Sequence, residues 1–230
     1  MYKYETHVHT APVSRCAKAS VADTVKFYKE KGYDGIFITN HFIGGNINSA
    51  WDTPYDEKIK FFASDYEEAK KIGDEIGIKV FFGLEDGYKG SDFLVFGLTP
   101  EWLLEHPEIA DMKFSEKLTR YAEGGGLIVH AHPFREASYI DHIRLFPRHV
   151  HGVEVINASR NEFENRMALE YANNYGLGHL AGSDNHSGSA CRKLGGVQTK
   201  TPVTDAQDFI AKFYAGELEI FSEIIEKTDK

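Results

Sequence analysis

The first strand-like segment of the chain carries Thr6-His7-Val8-His9-Thr10, in which two histidines stand two residues apart. Residues i and i+2 of a β-strand project from the same face. His7 and His9 can therefore reach toward one point, as two ligands of one metal ion do. The pair alone is a weak signal in a chain with 11 histidines, so its meaning depends on what recurs farther along the sequence.

Histidines and acids recur at the ends of short apolar runs. The segments that share this pattern are residues 36–41, 80–85, 127–133 and 179–186. Barrels of parallel strands build their active sites at the C-terminal ends of the strands. A strand followed by a potential ligand, repeated along the chain, therefore predicts one site at that end of an α/β barrel.

Length and composition limit the class of protein. The 230 residues, 42% of them hydrophobic, suit one α/β domain over residues 1–230. No apolar run approaches the ~20 residues that span a bilayer, and the first residues lack the apolar core of a signal peptide, which predicts a cytoplasmic location. A net charge of -9 argues against long nucleic acid as a partner, because such proteins carry a basic stripe. The two cysteines imply no disulfide framework.

Strands and helices alternate along most of the chain. Strands are predicted at 3–9, 35–39, 79–84, 92–98, 127–131, 152–157 and 178–183, with a short one at 218–221. Helices are predicted at 21–31, 57–76, 100–104, 114–123, 139–146, 163–175 and 204–215. Such alternation implies a parallel sheet. The loop at 42–56 is long for a connection, which favours a functional rim over a spacer.

Five motifs, taken in order, resemble those of the PHP (polymerase and histidinol phosphatase) family. They are His-x-His-Thr at 7–10, Thr-Asn-His at 39–41, Gly-Leu-Glu at 83–85, Ala-His-Pro-Phe at 131–134 and Gly-Ser-Asp-Asn-His at 182–186. The match runs from His7 to about Phe221, nearly the whole chain. The resemblance implies a distorted (β/α)7 TIM-like barrel that holds two or three divalent metal ions at the C-terminal ends of its strands. It also implies a hydrolase that cleaves phosphate esters.

The resemblance assigns ligands to the first two metal ions. His7, His9 and Asp184 would bind the first ion. Glu85 would bridge the first and second ions, and His132 would bind the second. Imidazole and carboxylate ligands together suit zinc, manganese or iron, and a carboxylate such as Glu85 sets the spacing between two ions. Without the other motifs, Glu85 would be interpreted as a solvated acid at a strand end.

The resemblance assigns His41 and His186 to a third metal site, where this sequence departs from the family pattern. Full three-metal members place another histidine or aspartate in the loop after His-x-His, where this chain has Arg15 and Cys16. Arginine cannot be a ligand, whereas Cys16 can as a thiolate. Many members also carry a histidine near the fourth strand for the second metal, and the nearest candidate here is Asp92. Both ligand roles stay open at this point.

Binding of a phosphate requires cationic donors. Basic residues fall in the loops that follow the predicted strands, namely Arg15, Lys18, Arg135, Arg160 and Arg192. Arginine grips phosphate through paired hydrogen bonds, and Arg15 and Arg135 are the predicted phosphate ligands. His41, His186 or a water molecule at the metal ions is expected to protonate the leaving alcohol.

The remaining histidines have less specific interpretations. His130 lies two residues before His132, so it is either a residue of the barrel interior or a group that orients a ligand. Surface or structural roles are expected for His106, His142, His149, His151 and His179.

Metal-dependent hydrolysis of a small-molecule phosphate ester is the leading interpretation. Two close cations lower the pKa of a water molecule and neutralise charge on a phosphate during in-line displacement. A histidinol-phosphate or protein-tyrosine phosphatase specificity is an alternative. A non-catalytic metal-binding PHP module is another. The sequence identifies neither the substrate nor the native metal, and it does not define an oligomeric state.

Overall fold

One continuous sheet of nine strands organises the computed structural model, which describes residues 1–225. The strands are β1 Tyr2–Val8, β2 Gly35–Ile38, β3 Lys79–Tyr88, β4 Ser91–Phe96, β5 Leu127–Ala131, β6 Gly152–Asn157, β7 Gly178–Gly182, β8 Lys193–Thr199 and β9 Glu219–Ile224. Their order across the sheet is β7-β6-β5-β4-β3-β2-β1-β8-β9.

The sheet curls into a nearly closed barrel. Strands β1, β2 and β3 are parallel, and so are β5, β6 and β7, while β4 runs antiparallel to both of its neighbours. Asn185, just after β7, bridges to Val8 of β1, and the backbone N–H of His9 donates to the Asn185 carbonyl at 3.0 Å. The C-terminal ends of six parallel strands therefore meet at one rim.

This architecture confirms the predicted α/β class and the distorted TIM-like barrel, but it does not follow a strict (β/α)7 repeat. No helix separates β3 from β4, because Tyr88 pairs with Ser91 across a two-residue turn. Lys89 and Gly90 in that turn both have positive φ, as hairpin turns require. The antiparallel pair of β8 and β9 extends the sheet beyond β1. The assignment of residues 1–230 to a single domain stays a prediction.

Six α-helices lie within residues 1–225. They are α1 Val21–Glu30, α2 Tyr55–Ile76, α3 Pro100–Glu105, α4 Phe114–Glu123, α5 Glu162–Tyr175 and α6 Ala206–Tyr214. Ser20 caps α1 by accepting from the Asp23 N–H, and Gly77 and Gly176 end α2 and α5 in the left-handed conformation. No helix in this described part of the chain is long and apolar enough to cross a membrane.

Two differences from the predicted elements have physical causes. The helix predicted at 139–146 is wrong, because that segment has no regular structure. Tyr139 and Ile143 are exposed there, so the segment has no apolar stripe to bury, and a short unpacked helix is marginal in water. Strand β8 was not predicted, since Gly195 and Gly196 weaken its strand pattern. Gly195 is needed there, because a Cβ would lie 2.5 Å from the Gly182 carbonyl oxygen.

An apolar cluster fills the end of the barrel opposite the rim. Side chains of β1 to β5, among them Phe37 and Phe81, pack there against Phe209 and Phe213 of α6. Gly152 and Gly178, at the starts of β6 and β7, leave space for the Phe213 ring. This packing closes one end of the barrel and leaves the polar rim as the open end.

Candidate metal centre

The ends of β1 and β7 bring three of the predicted ligands together. The Nε2 atoms of His7 and His9 lie 3.1 Å apart, as the shared strand face predicts. The Oδ1 atom of Asp184 lies 3.5 Å from each of them. Both histidines are fully buried. These three side chains form a group whose donor atoms all lie within 4.8 Å of one another.

Glu85 occupies the middle of the rim, between imidazole rings from three other segments. Its Oε1 atom lies 3.2 Å from both His7 Nε2 and His132 Nε2. Its Oε2 atom lies 2.6 Å from His41 Nδ1. His7, Glu85 and His132 form a second group of donors within 4.8 Å. This position is the one that a bridging carboxylate needs.

A third group of donors lies beside the first two and consists of His9, His41 and His186. The His9 ring lies 4.1 Å from the His186 ring and 4.3 Å from the His41 ring, measured between centroids. Cys16 approaches the same group, since its Sγ atom is 3.2 Å from His41 Nε2. Burial raises the pKa of the Cys16 thiol, but hydrogen bonds with His186 and His41 outweigh it and lower that pKa to about 6.

Electrostatics keeps the carboxylates at the rim ionised. Burial raises the pKa of Glu85, but the charges of His41 and His7 outweigh it and hold that pKa well below its usual range. The pKa of Asp184 is likewise held well below its usual range, because the charge of His7 and a hydrogen bond with His9 outweigh the effect of burial. Ionised carboxylates beside imidazole nitrogens are donors for divalent cations.

The donor set fits the divalent metal ions that the family resemblance implies. Among residues 1–225, the buried Glu85 Oε2 atom has no hydrogen-bond partner, and neither has His41 Nδ1 beside it. Their short separation therefore lacks the alignment of a hydrogen bond. A buried polar atom without a partner costs free energy unless another group satisfies it. A metal ion bound by Glu85 would satisfy its orphaned oxygen.

Backbone strain also marks this rim. His132 and Asp184 adopt positive φ angles of 27° and 53°, which are rare for residues other than glycine. Such conformations persist where the surrounding structure holds them, and they cluster at functional sites.

Glu154 of β6 supports the ligands and was not predicted from the sequence. It is fully buried, and its Oε1 atom lies 2.8 Å from His7 Nδ1. Its Oε2 atom accepts from the His132 backbone N–H at 3.0 Å and from Asn157 Nδ2 at 2.8 Å. The contact between Glu154 Oε1 and His7 Nδ1 turns His7 Nε2 toward the centre, as carboxylates behind metal-binding histidines do. The available signal was an acid inside an otherwise apolar strand.

A cleft of about 840 Å³ opens over the metal centre. Basic side chains in its lining are Arg135, Arg160, Arg192 and Lys193. The Nη2 atom of Arg135 lies 2.8 Å from Asp92 Oδ2, and that oxygen is 3.9 Å from His132 Nε2. Asp92 thus lies between a predicted ligand and a predicted phosphate donor.

Arg15 and Lys18 are not among the side chains that line the cleft. Arg15 is exposed, and its Nη2 atom donates to the Ile47 carbonyl at 3.3 Å. This differs from the predicted role of Arg15 as a phosphate ligand. The reason is local, because the loop at 42–54 draws the guanidinium away from the rim.

His130 is not part of the ligand groups. It is buried against Phe93, with 4.5 Å between the ring centroids, and burial lowers its pKa to about 3. Leu127, Val129 and Ala131 of β5 pack in the apolar cluster inside the barrel, so His130 lies on the opposite face of the strand, where Tyr171 of α5 also contacts it. The barrel-interior position considered for His130 is therefore wrong. His151 has a structural role, because its Nδ1 atom accepts from the Ile128 N–H at 3.0 Å.

Comparisons with known proteins agree with this architecture. A family model described as PHP-associated (PHP_C) matches residues 162–218. No curated protein matches the sequence significantly. A two-domain protein from Bacteroides vulgatus, containing a predicted PHP-like metal-dependent phosphoesterase, has a TM-score of 0.69 at 15% identity. The match covers 96% of this chain and 64% of that chain, so this chain spans less than two thirds of that protein.

Two further structures share the fold. A candidate metal-dependent phosphoesterase from Bifidobacterium adolescentis has a TM-score of 0.55 at 13% identity, over 94% of this chain and 96% of that one. An amidohydrolase from Chromobacterium violaceum, solved with bound sulfate and no metal, has a TM-score of 0.51 at 14% identity, over 82% and 89%. At these identities the likeness is one of fold.

Proposed function

We propose that this chain, a member of the PHP family, is a metal-dependent phosphoesterase that hydrolyses a small-molecule phosphate ester. The observation that carries the proposal is the convergence of imidazoles and carboxylates from separate strand ends beneath one cleft. Bound divalent ions would lower the pKa of an attacking water molecule and neutralise charge on the phosphate. Zinc, manganese and iron are the metals that suit these donors.

The ligands divide between two positions. His7, His9 and Asp184 would hold one ion, and Glu85 and His132 would hold the other, with Glu85 between them. Their burial excludes bulk water from the donors. Held by strand ends rather than by mobile loops, these side chains keep the spacing that the reaction needs.

Arg135 and Arg160 are the proposed phosphate ligands. Both line the cleft, and the Nε atom of each is buried without a hydrogen-bond partner inside residues 1–225. Asp92 holds one nitrogen of Arg135, which orients the guanidinium. Phosphate oxygens accept paired hydrogen bonds from arginine with good geometry, so a phosphate above the ligands would satisfy both orphaned donors.

His41 and His186 are the groups proposed to act on the leaving oxygen. Both line the cleft beside His9. Burial lowers the pKa of His41, but the neighbouring Glu85 carboxylate outweighs it and raises that pKa to about 10. When no metal ion occupies its nitrogens, such an imidazole at the cleft wall can donate a proton to a departing alkoxide.

The test is phosphate release from a panel of sugar, amino-alcohol, nucleotide and phosphotyrosine esters, including histidinol phosphate. Protein loaded separately with manganese, zinc or iron is compared with His9→Ala and Asp184→Ala. His149→Ala is the matched control, since that histidine is exposed and outside the cleft. We expect metal-dependent release that both site variants abolish and the control retains.

Turnover that survives in His9→Ala or Asp184→Ala would contradict the proposal. Full metal occupancy without release from any ester would favour a non-catalytic metal-binding module. The panel also separates a histidinol-phosphate or protein-tyrosine phosphatase specificity from other phosphoesterases.

A further inference from the structure

A cysteine stands beside the third group of donors, away from the His7, Glu85 and His132 group. The Sγ atom of Cys16 lies 3.2 Å from His41 Nε2, and both side chains line the cleft with His186. Zinc bonds of about 2.3 Å to sulfur and about 2.0–2.1 Å to nitrogen place S and N roughly 3.5 Å apart across a tetrahedral ion. The observed separation is close to that value.

The backbone around Cys16 fixes its position. The N–H of Arg15 donates to the Asn46 carbonyl at 3.0 Å, and the N–H of Ala17 donates to the Ser14 carbonyl at 3.0 Å. The N–H of Lys18 donates to the carbonyl of His186 itself, at 2.7 Å. The cysteine loop is therefore tied directly to a residue of the third donor group, although the Cys16 side chain borders solvent.

The ring of His41 links this group to the centre. His41 is 8% exposed, with Nε2 at the Cys16 sulfur and Nδ1 without a hydrogen-bond partner in the described chain. The His9, His41 and His186 donors already lie within 4.8 Å of one another. A thiolate adds negative charge and a soft donor to a group otherwise made of imidazoles.

We propose that Cys16 is a thiolate ligand which, together with His41 and His186, holds a third metal ion. The inference rests on the metal centre of the proposed function but not on its phosphoesterase activity. Thiolate and imidazole donors favour zinc, cobalt or ferrous iron, whereas manganese and magnesium prefer oxygen donors. The third position therefore selects softer ions than the carboxylate-rich positions beside it.

The test is cobalt(II) titration of the reduced, metal-free full chain under anaerobic conditions. A cobalt–thiolate bond gives a sulfur-to-metal charge-transfer band in the near ultraviolet, which imidazole and carboxylate ligands do not give. We expect this band in the wild type and its loss in Cys16→Ser, with one cobalt ion fewer per chain by mass spectrometry. Cys191→Ser is the matched control, since Cys191 lines the same cleft but donates to the Lys193 carbonyl at 3.0 Å.

Cys16→His gives a second readout, because an imidazole can replace the thiolate. We expect this variant to regain the wild-type number of cobalt ions without the charge-transfer band. Circular dichroism of each variant checks the fold, and little change is expected, since Cys16 is an exposed residue.

Several outcomes would overturn the inference. Full cobalt occupancy without a charge-transfer band in the wild type would exclude the thiolate ligand, and so would loss of the band in Cys191→Ser alone. Absence of cobalt uptake, with His9→Ala indistinguishable from the wild type, would overturn the whole metal centre. A Cys16-dependent band in a protein that releases no phosphate would keep this inference and reject the phosphoesterase.

Discussion

Two neighbouring acids of β3, Glu85 and Asp86, are equally buried but have different surroundings. Glu85 is 1% exposed and Asp86 is 0% exposed, and as successive strand residues they project from opposite faces. Glu85 faces the rim, where its oxygens meet imidazole nitrogens. Asp86 faces α4, where Lys117 Nζ lies 3.1 Å away and the Tyr121 hydroxyl donates at 2.9 Å.

The difference lies in how each carboxylate is satisfied. The Oδ1 atom of Asp86 accepts from the N–H groups of Gly44 and Gly87, and its charge is matched by Lys117. The side-chain oxygens of Glu85 contact imidazoles, and its Oε2 atom lacks a hydrogen-bond partner within residues 1–225. A buried acid that the protein fully satisfies belongs to the fold. A buried acid left with an unsatisfied oxygen among metal-binding side chains belongs to the chemistry.

The sharpest test of this comparison is Glu85→Gln. Because the bridging charge would be lost, we expect kcat to fall by about 1,000-fold or more, equivalent to several kcal/mol of transition-state stabilisation. The metal content per chain should also fall, while the thermal unfolding midpoint of the metal-free protein changes little. Phosphate release and elemental analysis measure both effects, and kcat within tenfold of the wild type would contradict the bridging role.

The opposite pattern is expected for Asp86→Asn. Lys117 would keep its charge in a buried position without its partner, so the free energy of unfolding should fall by about 3–5 kcal/mol. Activity per folded molecule should stay near that of the wild type. Chemical denaturation measures the loss, and the double variant with Lys117→Met should recover part of it. A large loss of kcat with unchanged stability would contradict a purely structural role for Asp86.

A smaller effect is expected for Glu154→Gln, which acts through His7. Loss of the carboxylate behind His7 should weaken metal binding by about 10–100-fold. Competition with a chelator measures the affinity. Glu164→Gln is the matched control, because that buried acid caps α5 and contacts the Glu136 N–H rather than a ligand. Equal metal affinity in the two variants would show that Glu154 has only a structural role.

The smallest effects are expected at the phosphate contacts. Arg135→Ala should raise KM by about tenfold or somewhat more, since a charged hydrogen bond is worth about 1.5–3 kcal/mol. Arg15→Ala should leave KM within about twofold of the wild type, because its guanidinium is directed to the Ile47 carbonyl. Steady-state kinetics gives KM for the two variants and shows which arginine contacts the phosphate. A larger effect at Arg15 would restore its predicted role as a phosphate ligand.

Much of the fold could be read from local pattern. Apolar runs and glycine stops located seven strands of the barrel and the helices α1, α2 and α5, because periodicity and capping are encoded by neighbouring residues. The strand through Gly195 was harder, since glycine-rich strands carry little apolar signal. The segment at 139–146 had an apolar composition, but Phe146 packs against the core while Tyr139 and Ile143 stay exposed, so no helical stripe is buried.

The sequence by itself determined which side chains stand at the strand ends, because the position of a histidine or acid after an apolar run is a local property. The tertiary structure alone decided how they are supported. It placed Glu154 behind His7, joined Asp92 to Arg135, and brought Cys16 to His41. These contacts join residues far apart in the chain, so they depend on how the barrel closes and not on any local pattern.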